Sequence, residues 1–209
     1  MPGYAGSKVT EEHYLDDTRH SFGAHTVINM AALNAKTNSD DVIFRGMALL
    51  SPAGCRPHRV LRPRESAMVV RALRLGNPVI NGLVSHLIKM IYTRVLLFPS
   101  DLPPGHYLAG LVRAATTDFD VLREQVNMLK HARLPALLAW SRSDEFMEEE
   151  IPVELSQLCH TGPRLAFAGG GHNIQKTRAE KISTVLSEWV ERVLAGENVE
   201  EEEPTRYLP

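Results

Sequence analysis

The chain has few cysteines and no excess of charge of either sign, and each shortage excludes a class of protein. Only two cysteines, Cys55 and Cys159, occur in 209 residues, which excludes the disulfide framework of a small secreted protein. We interpret both as buried thiols and expect a reducing compartment, the cytoplasm. The formal net charge of −2 lacks the basic excess of a nucleic-acid-binding surface. We therefore expect no nucleic-acid partner.

Long hydrophobic runs and metal-binding motifs are also absent from the sequence. The most apolar stretch, residues 76–98, contains Lys89 and Arg94 and is too polar for a membrane-spanning helix. It favours a lid or core helix and argues against membrane contact. The N-terminal residues have neither the basic segment nor the apolar run of a signal peptide. None of the nine histidines has the spacing of a metal motif, so we expect no metal and no cofactor.

What the sequence does contain is an alternation of apolar runs with helical periodicities. Three continuous apolar runs predict buried strands, at residues 42–50, 134–140 and 164–168. Helical patterns predict helices over residues 25–35, 64–98, 105–131, 148–159 and 175–194. Strands that alternate with helices predict an α/β fold with a parallel sheet, in which functional residues gather at the carboxyl ends of the strands.

Three residues near such ends have the types of a nucleophile, an acid and a base. Ser21 lies in His-Ser-Phe-Gly, where a turn leads into a helix, and Asp144 and His172 follow the second and third apolar runs. A serine hydroxyl becomes a good nucleophile when an imidazole takes its proton, and a carboxylate fixes the tautomer of that imidazole. The chain order Ser, Asp, His is that of α/β-hydrolases.

Each of these residues has an ordinary alternative that the sequence leaves open. Ser21 could be the N-cap of the helix after it, and Asp144 could cap a helix that begins near residue 146. His172 could be a surface loop residue. His58 could line the mouth of a site or be a plain loop residue. The ordered set of three nonetheless favours a shared site.

These motifs resemble the α/β-hydrolase superfamily, and more narrowly the animal α/β-hydrolase-like domains of unknown function. Besides the serine turn, the resemblance is carried by residues 51–58, Ser-Pro-Ala-Gly-Cys-Arg-Pro-His, and by residues 171–176, Gly-His-Asn-Ile-Gln-Lys. It covers nearly all of residues 18–195.

The resemblance implies a role for each candidate residue. It implies Ser21 as the nucleophile, Asp144 as the acid, His172 as the base and the backbone of Phe22 as an oxyanion donor. It also implies a helical cap over residues 56–131. The activity so implied is hydrolysis of an ester, thioester or amide, and the apolar cap favours a small apolar substrate.

The chain departs from the family pattern on its N-terminal side. Arg19 stands where the nucleophile turn normally has glycine, and residues 11–17 do not have the pattern of the strand that carries this turn. We therefore expect an N-terminally truncated or internally deleted form with a partial α/β-hydrolase fold. Its expected segments are an irregular remnant (1–18), a hydrolase-like core (19–55 and 132–195), a helical cap (56–131) and an acidic disordered tail (196–209).

Two classes of function remain open at this stage. The chain is either a serine hydrolase impaired by the missing strands, or a catalytically inactive binding or scaffold protein of the same fold. A third possibility is a splice-type fragment. Missing strands would expose the remaining sheet, so we also expect a partner chain or a homo-oligomer that covers it.

Overall fold

The chain folds into two units, and each is described by itself. The first comprises Met1–His58 and Phe119–Pro209, and the second comprises Arg59–Asp118. The structure, a computed structural model, describes residues 19–37, 42–95, 100–197 and 203–209. The expected irregular segment 1–18 lies outside the described residues, and so does the stretch 11–17 where we expected no strand.

A parallel sheet organises the first unit. Among the described residues it has five strands, in the same order in space as in the chain: β1 (Arg19–His20), β2 (Met47–Leu50), β3 (Ala136–Ser141), β4 (Arg164–Phe167) and β5 (Arg206–Leu208). All neighbouring strands are parallel. Strands β2, β3 and β4 are buried along their whole length, which explains why they are continuous apolar runs rather than alternating patterns. The predicted fold class is confirmed.

The described residues of the two units together form eight helices. In chain order they are α1 (Gly23–Thr37), α2 (Pro63–Arg74), α3 (Pro78–Arg94), α4 (Pro104–Ala115), α5 (Phe119–His131), α6 (Glu150–Leu158), α7 (Ile174–Thr177) and α8 (Ala179–Leu194).

Helices of the first unit cover both faces of the sheet. On one face α1, α5 and α6 pack with Met47 and Leu49 of β2. On the other face α8 packs with Ala48 and Leu50. Side chains that alternate along one strand therefore fill two separate cores.

The second unit is helical and contains α2, α3 and α4. The sequence predicts one helical stretch over 64–98, whereas the structure has two helices that part at Gly76, whose φ of 68° is in the left-handed region. Asn77 then begins α3, because its side-chain oxygen accepts hydrogen bonds from the N–H groups of Val79 and Ile80. The role of this unit as a cap stays a prediction. No helix of the described residues is long and apolar enough to cross a membrane.

The second predicted helical stretch, 105–131, is also two helices. They part after Thr116, and α5 packs against α1 in the first unit, although the predicted cap extends to residue 131. Leu122, Val126 and Leu129 of α5 are buried in the sheet core, which is the physical reason for this placement. The apolar face of α5 is needed to cover the sheet.

Where we expected an acidic disordered tail (196–209), the described residues 203–209 contain a strand. Its described end forms β5, which pairs with the outer edge of β4, and the N–H of Ala168 donates to the carbonyl of Leu208 at 2.8 Å. Glu203 forms ion pairs with Arg192 at 3.2 Å and with Arg206 at 2.8 Å. An unpaired strand edge offers backbone partners to almost any extended segment, which explains why a short polar sequence becomes a strand.

Candidate functional site

Asp144 and His172 meet at the carboxyl ends of two neighbouring strands. Nδ1 of His172 lies 2.8 Å from Oδ2 of Asp144, and both side chains are buried. Asp144 belongs to the loop after β3 and His172 to the loop after β4, so the parallel pairing of these strands brings the two together. A carboxylate that holds Nδ1–H leaves Nε2 of the imidazole able to accept a proton.

The second carboxylate oxygen of Asp144 is held by the backbone. The N–H groups of Phe146 and Met147 donate to Oδ1 at 2.8 and 3.0 Å. Asp144 therefore caps the turn that follows it and contacts His172 as well, whereas the helix that the alternative interpretation placed near residue 146 begins at Glu150. Burial raises the pKa of Asp144, but the hydrogen bond and charge of His172, together with the two N–H groups, outweigh burial and lower the pKa below its ordinary value.

The loop that carries His172 is shaped by glycines. Gly170 and Gly171 have φ values of 125° and 64°, which side-chain-bearing residues rarely adopt. A Cβ at Gly171 would lie 3.2 Å from Oε2 of Glu145. The same carboxylate oxygen accepts the backbone N–H of His172 at 3.1 Å. The close approach of Glu145 to this loop fixes the position of His172.

Ser21 occupies a strained turn between β1 and α1. Its φ is 58°, in the left-handed region that is uncommon for a residue with a side chain. Backbone hydrogen bonds join this turn to the end of β2 and the residues after it. The N–H of Ser21 donates to the carbonyl of Leu50, and the carbonyl of Ser21 accepts the N–H of Ala53, each at 3.1 Å. The half-buried serine therefore sits between a strand and a helix, which is the backbone geometry that a nucleophile elbow requires.

The two residues of β1 bear on the expected absence of a strand before this turn. Arg19 and His20 pair with Leu49 and Leu50 of β2, so a short strand does precede Ser21. Helix α1 begins at Gly23, so Phe22 and not Ser21 directly precedes it. Phe22, the expected oxyanion donor, lies directly at the start of that helix.

Ser21 and the Asp144–His172 pair lie at the same edge of the sheet but follow different strands. Strands β1 and β4 are three strand spacings apart, about 14 Å, so the loops have to close the distance between them. The structure brings Asp144 and His172 into direct contact and places the Ser21 turn beyond β2 and β3 at this edge.

His58 also belongs to this edge, although the sequence left its role open. Its ring centroid lies 5.4 Å from that of Phe22. The ring is 8% exposed, and neither of its nitrogens has a hydrogen-bond partner among the described residues. Burial is the main cause that lowers the pKa of His58. The charge of Glu148 and, more weakly, that of Asp144 oppose this shift, whereas the charge of His172 reinforces it. His58 is therefore neutral at pH 7 and lies near both the serine turn and the acid–base pair.

A second buried hydroxyl, that of Ser51, lies at the end of β2. Ser51 has a φ of 40° and is 1% exposed, and its Oγ has no hydrogen-bond partner among the described residues. Its N–H donates to the carbonyl of Ala139 at 2.8 Å. The sequence marks Ser51 only as the residue after a strand, since burial and backbone strain leave no signature in residue type.

Other parts of the first unit do not add to this site. A cavity of about 500 Å³ beside α6 is lined by Arg56, Arg142, Glu154 and Tyr207, among others, and includes none of the candidate residues. Within the described ranges, no three His, Cys, Asp or Glu side chains are grouped so that they could hold a metal ion.

Comparison with known proteins identifies similar structures. No protein-family model and no curated protein sequence matches the chain. The chain is similar to a thermophilic esterase from Thermogutta terrifontis, with a TM-score of 0.55 and 14% identity, over 92% of this chain and 75% of that one. It is also similar to the delta mutant of DBJA, with a TM-score of 0.50 and 17% identity, over 84% of this chain and 67% of that one. Likenesses at such identities show a shared fold.

Proposed function

We propose that this chain, which has the α/β-hydrolase fold, is a serine hydrolase with Ser21 as nucleophile, His172 as base and Asp144 as acid. The observation that carries the proposal is the 2.8 Å hydrogen bond between the buried Asp144 and His172. It is supported by the strained turn that holds Ser21 at the same edge of the sheet. Acyl transfer requires a buried, oriented imidazole and a serine on such a turn, and both lie at this edge of the sheet.

The proposed reaction has two half-reactions. Nε2 of His172 takes the proton of the Ser21 hydroxyl while Oγ attacks the acyl carbon, and the resulting oxyanion faces the N–H groups at the start of α1. His172 then donates the proton to the leaving group as the carbon–heteroatom bond breaks. Water, deprotonated by the same nitrogen, then attacks the acyl carbon. The bond to Oγ of Ser21 breaks, the carboxylic acid leaves and His172 returns the proton to Oγ. Asp144 stays ionised throughout and stabilises the imidazolium.

Carboxylic esters are the substrate class to test first. One similar structure is an esterase, which supports esters over thioesters and amides as the starting point. With Asp144 ionised and Nε2 of His172 able to accept a proton, the pair has a net charge of −1, and the neutral His58 adds no positive charge, so nothing there favours an anionic substrate. Small uncharged esters fit these observations.

We assign His58 a role in binding the polar part of the substrate. A buried polar side chain normally has a hydrogen-bond partner, and both nitrogens of His58 are without one in the part of the chain that the structure describes. A neutral imidazole offers one donor and one acceptor, which suits a hydroxyl or carbonyl group. His58→Phe should keep the ring contact with Phe22 and lower kcat/KM about threefold to tenfold for a hydroxylated acyl ester compared with the plain ester. An equal effect on both esters would refute the assignment.

Labelling with a fluorophosphonate probe tests the proposed nucleophile. The probe reacts with activated serines, so the wild-type protein and Ser51→Ala should be labelled and should hydrolyse a p-nitrophenyl ester, whereas Ser21→Ala should do neither. Ser51 is a matched control because it lies at the same edge with a positive φ but is buried. Circular dichroism would verify that both variants are folded.

The same experiment separates the two classes of function. If the folded wild-type protein is not labelled, the proposal is wrong and the inactive binding or scaffold protein takes its place. Labelling that survives in Ser21→Ala but is lost in Ser51→Ala would move the nucleophile to Ser51.

A further inference from the structure

The outer face of α3 in the second unit is apolar. Val79, Leu83, Leu87 and Met90 are 77%, 72%, 48% and 47% exposed, and they recur every three or four residues, so they form one stripe along the helix. The opposite face of the helix contains Ile88, which is buried. About half or more of each of these side chains is left exposed, and an apolar surface of this kind is typical of an interaction site.

Exposed apolar side chains also occur on and after the neighbouring helix. Met68 of α2 and Leu75, the residue after α2, are 68% and 73% exposed, and α2 packs beside α3 within this unit. Val95, just after α3, is 71% exposed. We call these residues, with the four of α3, the apolar stripe. Single exposed hydrophobic residues are common on protein surfaces, whereas the apolar stripe contains seven of them.

Basic side chains accompany the apolar stripe. Residues 59–118 contain eight Lys and Arg against three Asp and Glu, a net charge of +5 in a chain whose total is −2. Arg64, Arg71 and Arg74 of α2 and Arg94 of α3 are exposed. The positive charge is thus concentrated on the helices that carry the exposed aliphatic side chains.

We propose that the second unit docks on an anionic lipid surface through the apolar stripe and these arginines. Aliphatic side chains enter the boundary between headgroups and acyl chains, and guanidinium groups bind lipid phosphates. A second copy of this chain fits less well, because a symmetric contact on this face would bring two units of charge +5 together. The proposal departs from the sequence-based expectation, which argued against membrane contact, and does not depend on the activity of Ser21.

Vesicle co-sedimentation tests the proposal. The wild-type protein should sediment with vesicles of phosphatidylcholine and phosphatidylserine and remain in solution with phosphatidylcholine alone. The double variant Leu83→Asp/Leu87→Asp should reduce partitioning at least tenfold. Each of Arg71→Gln and Arg74→Gln should reduce it roughly fivefold, the effect of one basic residue near such a surface.

A matched control uses exposed leucines of the first unit. Leu33 and Leu194 are 63% and 45% exposed, so Leu33→Asp/Leu194→Asp makes the same chemical change away from the apolar stripe and should leave partitioning unchanged. All substituted side chains are exposed, so thermal unfolding should show that the variants remain folded. The proposal is overturned by absent binding to anionic vesicles, by equal binding of both double variants, or by a solution dimer that Leu83→Asp/Leu87→Asp dissociates without any vesicle binding.

Discussion

The substitution Asp144→Asn exchanges one oxygen for an NH₂ group and tests how His172 is held. Oδ1 of Asp144 accepts the N–H groups of Phe146 and Met147, whereas Oδ2 faces Nδ1 of His172. An asparagine that keeps both backbone bonds must place its NH₂ group where Oδ2 lies. Two donors would then face each other unless His172 carries its proton on Nε2. An imidazole protonated on Nε2 cannot accept the proton of Ser21.

The size of the effect follows from the alternative amide orientation. Turning the asparagine over would restore the bond to His172 but would place the NH₂ group against the two backbone N–H groups. Each buried donor left unpaired costs about 1–3 kcal/mol, so the productive orientation is about 2–6 kcal/mol less stable than the unproductive one. At about 1.4 kcal/mol per factor of ten, we expect the rate to fall by a factor of roughly 30 to 10⁴.

The assay is the rate constant for fluorophosphonate labelling, together with kcat/KM for an ester. Asp101→Asn makes the same chemical change at an exposed carboxylate and should leave both unchanged. Thermal unfolding of both variants would establish that they are folded. If Asp144→Asn were labelled at the wild-type rate while Ser21→Ala stayed unlabelled, the reasoning would fail, because the reacting imidazole would then not depend on Asp144.

Three further predictions concern stability and thiol reactivity. Folding lowers the pKa of Asp144, so its carboxylate stabilises the fold above the unfolded pKa of about 4 and ceases to do so as the pH falls through the folded pKa. The difference in free energy of unfolding between wild type and Asp144→Asn, measured in urea, should therefore shrink towards low pH. Gly54→Ala should lower the free energy of unfolding by about 1–3 kcal/mol, because the added Cβ would lie 2.6 Å from a side-chain carbon of α6. Gly110→Ala should raise the free energy of unfolding by about 0.5–1 kcal/mol, because a Cβ at this position in α4 meets open space. Burial raises the pKa of Cys55 to about 11 and that of Cys159 to about 12, so iodoacetamide should modify both slowly at about pH 8 until denaturant is added; rapid modification of the native protein would contradict their burial.

The strands that the sequence predicts best are those that are buried on both faces. The runs that became β3 and β4 contain little but apolar residues, and only burial on both faces of a sheet favours such a composition. The first run was predicted over 42–50, but only Met47–Leu50 is a strand, since the composition of a run does not show where hydrogen-bonded pairing begins. Element type was therefore easier to predict than element ends.

The C-terminal strand shows the limit of local pattern. Arg206–Leu208 has one half-buried and two exposed residues, so no periodicity predicts it as a strand. It is a strand because β4 presents an open edge beside it. The structure of this segment therefore depends on β4, which lies some forty residues earlier in the chain.

The sequence by itself determined the α/β class and the residue types and order of Ser21, Asp144 and His172, because burial pattern and chemical type are properties of the residues. Only the tertiary structure decided that Asp144 both caps a turn and holds His172. It also decided that His58 is buried beside Phe22, with no hydrogen-bond partner for its nitrogens among the described residues. It also decided that the apolar side of α3 faces solvent. These properties depend on which distant segments come together, and hydrophobicity along the chain does not show what a given face packs against.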